Sequence, residues 1–190
     1  MSGAASLVSV IIPCHNQARF LAEAIESVLG QIFRPGEIVV VDDGSTDDTS
    51  AVAAQYPDVL CVRQRKRGSS SARNAGLEAT RHRYVAFLDA DDRLLPGALV
   101  AGVSCIEAHP EFAFVSGHYR MISADGSPLH FQPCACAAKD HYLELLRGNY
   151  IGMHAAVLYR REFLKRVGGF DPALRHCEDY DLYLGDSQEV

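Results

Sequence analysis

The chain has 190 residues, 48% of them hydrophobic and 22% charged, with a formal charge of −6. A length like this buries about two thirds of the unfolded surface in one domain, and no apolar run approaches the roughly 20 residues that span a bilayer. Acidic residues are interspersed with basic ones, so the balance gives no drive toward nucleic acid. The six cysteines fall at irregular spacing and the N-terminus has no leader-like segment. This pattern predicts reduced thiols and a cytoplasmic location, with attachment at the inner face of the membrane left open.

Residues 7–12 form a β-branched run closed by Pro13, and apolar residues from Phe20 then recur at Ala24-Ile25 and Val28-Leu29, the period of a helix. A second apolar run, 38–41, ends in Asp42-Asp43-Gly44, and Ser45-Thr46 followed by acids predicts a helix through about Gln55. Residues 59–62 read as a third strand, 70–81 as a helix, 84–88 as a fourth strand, and 96–108 as a helix opened by proline. Four strand–helix units predict an α/β fold, a mostly parallel Rossmann-like sheet covered by helices, with ligands beyond the carboxyl ends of its strands.

After Phe112 the rhythm changes. FAFVSGHYRMI (residues 112–122) is strand-like, Asp125-Gly126 marks a turn, 142–146 suggests a helix and 155–159 is apolar. This predicts a smaller, less regular C-terminal region with no linker dividing it from the rest.

Asp42-Asp43 and Asp89-Asp91-Asp92 each follow an apolar strand, so a parallel sheet brings both groups to one edge. Two unit charges about 4 Å apart at an effective dielectric near 20 repel by about 4 kcal/mol. Mg²⁺ or Mn²⁺, taking one or two carboxylates together with phosphate oxygens, would neutralise such a cleft. An isolated Asp pair is better read as a strand end and helix cap; two clusters on one edge reverse that preference.

Arg65-Lys66-Arg67-Gly68-Ser69-Ser70-Ser71-Ala72-Arg73 combines dense basic charge with a turn that opens a helix, an arrangement favourable to an anion but equally common in a solvated loop. His176-Cys177-Glu178-Asp179-Tyr180-Asp181 reads by itself as an acidic helix start. An Asp there is ionised at neutral pH and able to act as a general base.

In order, VSVIIPCHN (8–16), VVDDGSTDDT (40–49), SARNAGLEA (71–79), YVAFLDADD (84–92), VGGFDPAL (167–174) and CEDYDL (177–182) resemble the family 2 glycosyltransferases of the GT-A fold. The resemblance covers nearly the whole chain and is weakest across 123–149. It implies a metal-dependent, inverting transferase that uses a nucleotide-diphosphate sugar and Mg²⁺ or Mn²⁺. The acceptor would be a saccharide, lipid-linked or other hydroxyl, in polysaccharide or glycoconjugate synthesis. It also implies one domain over 1–190, with a nucleotide-sugar half (1–110) and an acceptor-side half (111–190).

Carried over by motif, Pro13 borders the nucleoside pocket, Asp43 hydrogen-bonds the base and Arg73 lies near the nucleotide. Asp89 faces the ribose or sugar, Asp91 takes the metal, and Asp179 is the catalytic base. Two features depart from the family pattern. His15 stands where members often carry Tyr, and the chain ends at Val190, where members usually continue, so the acceptor half reads as truncated.

Two alternatives stay open at this point. One is a nucleotide-sugar-binding module without turnover. The other is a phospho-receiver-like domain, which an acidic pair on a second strand and the lack of a well-placed later Lys disfavour. A zinc site from Cys134, Cys136, His130 and His141 matches no strong ligand spacing and ranks below a loop with incidental thiols.

Overall fold

The computed structural model describes residues 7–133 and 140–185. In the first half, strands β1 (Val8–Cys14), β2 (Glu37–Asp43), β3 (Leu60–Gln64) and β4 (Tyr84–Phe87) alternate with helices α1 (Ala18–Leu29), α2 (Thr49–Ala53), α3 (Ser69–Ala79) and α4 (Ala98–Ala108). Strands β5 (Phe114–Ser116), β6 (Tyr119–Ile122) and β7 (Pro128–Gln132) follow, then helix α5 (His141–Arg147) and a 3₁₀ turn (His154–Ala156) leading into β8 (Val157–Arg160). Helices α6 (Arg161–Arg166) and α7 (Glu178–Gly185) complete the described chain.

The main sheet has the order β3-β2-β1-β4-β8-β5. Its first four strands are parallel, whereas β8 runs antiparallel to both β4 and β5. A separate hairpin pairs β6 with β7. Side chains alternate between the two faces, as a strand requires. Val8, Val10 and Ile12 pack with Leu21, Ile25 and Val28 of α1 and with Leu99, Val103 and Ile106 of α4. Ile11, Val39, Val41 and Phe87 point the other way, into a core shared with Ala72, Phe163, Phe170, Leu182 and Tyr183.

Several boundaries differ from the sequence reading. Pro13 does not close β1, which runs on to Cys14. Pairing with β4 extends only to Ile11↔Phe87, while Pro13 still registers with Val41 of β2. The carbonyl of Ile11 faces β4, where it accepts from the Leu88 N–H. By the two-residue repeat, the donor that proline lacks falls on that same side, beyond the end of the pairing, where no ladder bond is lost.

Helix α2 begins at Thr49, because residues 44–48 are folded into a turn held by side-chain bonds from Asp42 and Asp47. Helix α4 begins at Ala98, after a left-handed Gly97, rather than at Pro96. The run 112–122 divides between two sheets: Phe114–Ser116 pair with β8, a register that the Gly117 N–H carries one step further to the Ala156 carbonyl, and Tyr119–Ile122 pair with β7. The cysteine pair at 134 and 136 lies outside the described residues. Among the described residues, no helix is long and apolar enough to cross a membrane.

Candidate active site

The carboxyl ends of β1, β2 and β4 meet at one edge. Cys14 is level with Asp42, and β4 hands the chain to Leu88 and Asp89 alongside Ile11. Asp42, 1% exposed, accepts from the Ser45 N–H (2.8 Å) and the Ser50 hydroxyl (2.6 Å) and pairs with Arg63 at 3.5 Å. Burial works against its charge, but the two serines and Arg63 prevail and hold the carboxyl below its ordinary value. Its role is to shape the turn.

Asp43 is 4% exposed. Its Oδ1 accepts from Gln64 Nε2 (2.7 Å) and the Arg67 N–H (2.8 Å), and its Oδ2 from the Gly68 N–H (2.8 Å). Oδ2 keeps a lone pair for a further donor. The basic segment therefore folds down over the end of β2. This needs Gly44, at φ +70°, because a Cβ there would lie 2.7 Å from the Lys66 nitrogen. Lys66 Nζ reaches His15 Nε2 at 2.7 Å, linking that loop to the end of β1 beside Pro13.

Arg73, on the buried face of α3, bridges Glu178 at 2.6 Å and Asp89 at 3.0 Å. Burial opposes its charge, but Asp89 and Glu178 outweigh that cost and raise its pKa. Glu178 also accepts from Ser69 Oγ (2.8 Å). The first turn of α7 is thus tied to α3 and to the end of β4. Asp179 is next in that turn and half-buried; among the described residues no side-chain hydrogen bond engages it.

Asp91 is exposed and receives Gln17 Nε2 at 3.3 Å from the start of α1. Burial first, then the charges of Asp89 and Asp91, push the Asp92 carboxyl up to about 6. The cluster therefore carries more negative charge than its surroundings neutralise, and its hard oxygen ligands suit Mg²⁺ or Mn²⁺. Among the described residues, no three His, Cys, Asp or Glu side chains are grouped to enclose a metal.

Of the residues anticipated from sequence, Asp43, Arg73 and Asp89 are brought together here, Pro13 lies near the end of β1 and Asp179 follows Glu178 in α7. Asp43, the 65–68 loop, Ser69, Glu178, Arg73 and Asp89 form a continuous chain of contacts, while Gln17 joins Asp91 to the β1 side. Gln17 and Gln64 were not foreseen, since nothing in their local sequence marks them, and Ser69 stood in the basic turn without a partner being evident. Glu178 stood in a recognised motif, but its partner is Arg73.

A mostly parallel sheet with one antiparallel strand, β8, between β4 and β5, and acidic turns at one edge, defines the GT-A class of nucleotide-sugar folds. Solved structures agree. The chain superposes on Staphylococcus aureus TarS with a TM-score of 0.73 at 24% identity, covering 95% of this chain and 55% of that one. For the mannosyltransferase PcManGT from Pyrobaculum calidifontis, solved with GDP-Man and Mn²⁺, the TM-score is 0.69 at 25% identity, covering 93% and 50%.

The family described as "Glycosyl transferase family 2" matches residues 9–168, and the chain belongs to it. An uncharacterized glycosyltransferase of Haemophilus influenzae is 30% identical over 97% of this chain and 73% of its own length. The succinoglycan biosynthesis protein ExoO of Rhizobium meliloti is 34% identical over 92% of this chain and 54% of its own. An uncharacterized glycosyltransferase of Rickettsia typhi is 31% identical, with 58% of its length covered, so the chain spans little more than half of several curated relatives. Family membership removes the phospho-receiver alternative.

Proposed function

We propose that this chain transfers a sugar from a nucleotide-diphosphate donor to an acceptor hydroxyl, with inversion, in polysaccharide or glycoconjugate synthesis. The observation that carries the reading is the convergence of Asp43, Arg73, Asp89 and the Glu178-Asp179 turn on one sheet edge through direct contacts. TarS has been solved with UDP-GlcNAc, PcManGT with GDP-Man and Mn²⁺, and ExoO is named for polysaccharide synthesis. These relatives support a nucleotide-sugar donor here.

The residues divide the work. Residues 1–110 hold the donor and 111–190 face the acceptor. Asp43 accepts a hydrogen bond from the base through Oδ2, beside Pro13, and Arg73 lies against the nucleotide and holds Asp89 in place. Asp91 would hold the divalent cation, which when bound supplies charge stabilisation to the departing diphosphate. Asp179 takes the proton of the attacking hydroxyl. Attack from the face opposite the diphosphate inverts the anomeric carbon, which passes through oxocarbenium character.

A panel of nucleotide sugars, with and without Mn²⁺, tests the assignment by thermal stabilisation and by released nucleoside diphosphate. The reading expects at least one donor to stabilise the protein only with the cation present and to be turned over. No stabilisation by any donor contradicts it. Stabilisation without turnover, in the full-length protein, favours a binding module.

A further inference from the structure

The core beneath α7 contains a polar ring among aromatics. His154, 5% exposed, stacks on Phe87 with centroids 5.4 Å apart at 27° and meets Phe170 edge-on at 5.4 Å. Its Nδ1 contacts two buried hydroxyls, Tyr159 at 3.1 Å and Tyr183 at 3.2 Å. Its Nε2 is buried without a partner. A hydrocarbon ring would fill the same space without that cost, so packing alone does not explain an imidazole here.

What His154 touches supplies the explanation. Phe87 ends β4, two residues before Asp89. The Phe170 backbone is clasped by Asn74, which donates to its carbonyl at 2.7 Å and accepts from its N–H at 2.9 Å, while the Arg73 guanidinium lies 5.4 Å over the Phe170 ring. Tyr183 lies in α7, four residues after Asp179 and therefore on the same helical face. One imidazole thus adjoins the segments that carry Asp89, Arg73 and Asp179.

Helix α7 needs such an anchor. Its eight residues are too few to be stable alone, and it is entered through Cys177 at φ +60°, a conformation most side chains avoid. Glu178 fixes its first turn to Arg73 and Ser69. Tyr180 in the same turn donates to the Leu145 carbonyl, and in the second turn Tyr183 meets His154, so rotation about the helix axis is set by these contacts together. Burial, assisted by the charge of Arg73, keeps the imidazole neutral, so Nδ1 is able to accept a hydrogen bond from a tyrosine hydroxyl. Burial also raises the Tyr159 pKa, with Tyr183 and the Asp179 carboxylate adding to it.

We propose that His154 is a positioning residue for sugar transfer: through the Tyr183 hydroxyl it helps fix the rotation of α7 and so aims the Asp179 carboxylate into the donor cleft. This rests on the transferase reading above. It predicts that the cluster acts more on the chemical step than on donor affinity, since His154, Tyr159 and Tyr183 are buried and meet α7 directly through Tyr183.

The test compares Tyr183→Phe, His154→Phe and His154→Asn with the unaltered protein, using UDP-GlcNAc and GDP-mannose with Mn²⁺. Donor Kd is read by thermal shift and turnover by nucleoside diphosphate release, with circular dichroism confirming the fold. Tyr183→Phe removes one oxygen and is the variant least able to disturb folding. Tyr183→Phe and His154→Phe should lower kcat by about 10- to 100-fold, the scale of a misplacement near 1 Å. Donor Kd should stay within about twofold. His154→Asn, whose carboxamide oxygen takes the place of Nδ1, should recover much of the lost kcat.

Unchanged kcat in both phenylalanine variants overturns the proposal while leaving the function intact, as does a parallel loss of kcat and donor affinity. If the unaltered protein neither binds nor turns over any donor, the transferase reading fails and this inference fails with it.

Discussion

Arg73 and Glu178 are 105 positions apart in sequence and 2.6 Å apart in the fold. The contact joins the first half of the molecule, where α3 reads as part of the nucleotide-binding side, to the helix that carries Asp179. With Asp89 on the other guanidinium nitrogen, one cation holds together a carboxylate from each half of the cleft.

Removing that cation should be costly. Arg73→Ala leaves Glu178, 13% exposed, as a carboxylate with no counter-charge, and the expected destabilisation is about 3 kcal/mol. Arg73→Lys keeps the charge but lacks the planar fork that engages both acids, so its loss should be intermediate. Urea denaturation of the three proteins measures both effects.

Packing makes a separate prediction at Gly76. A Cβ there would sit 2.3 Å from Ile11 Cγ2 and 3.2 Å from Val41 Cγ2, so α3 lies against β1 and β2 only because this residue has no side chain. Gly76→Ala should cost about 1–3 kcal/mol by overpacking. It should also weaken donor binding, because Arg73 rides on the same helix.

Stability should depend on Asp42 in a defined pH range. Its folded pKa is held below the ordinary value of 3.8 by Ser45, Ser50 and Arg63 acting against burial. The carboxylate's contribution is therefore complete above that value and disappears as pH falls through the lower, folded pKa. Asp42→Asn should be less stable than the unaltered protein at neutral pH by about 1–3 kcal/mol. The difference should shrink below about pH 4. Thermal melts from pH 7 to pH 2.5 check the direction.

Much of this architecture was legible because it is local. Apolar runs closed by Pro13, by Asp42-Asp43-Gly44 and by Asp89 marked β1, β2 and β4, and parallel topology then brought Asp43 and Asp89 to one edge without any knowledge of side chains. Boundaries set by which bonds win were not legible. Thr49 begins α2 because Asp42 and Asp47 accept from the neighbouring backbone in a turn, and residues 112–122 divide because their first part pairs with β8, far along the chain, and their last with β7. The His154–Tyr159–Tyr183 cluster was invisible for a similar reason. A histidine in an apolar stretch shows nothing of the two hydroxyls that converge on it.

The most direct measurement compares Asp91→Ala with Asp179→Asn in the same two assays, Mn²⁺-dependent donor binding and nucleoside diphosphate release. A cleft in which Asp91 serves the cation and Asp179 serves as base predicts that the first variant loses binding and turnover together. The second should bind donor nearly as well as the unaltered protein and fail to turn it over. Equal loss of donor binding in both variants, or full turnover by Asp179→Asn, would contradict this division of roles.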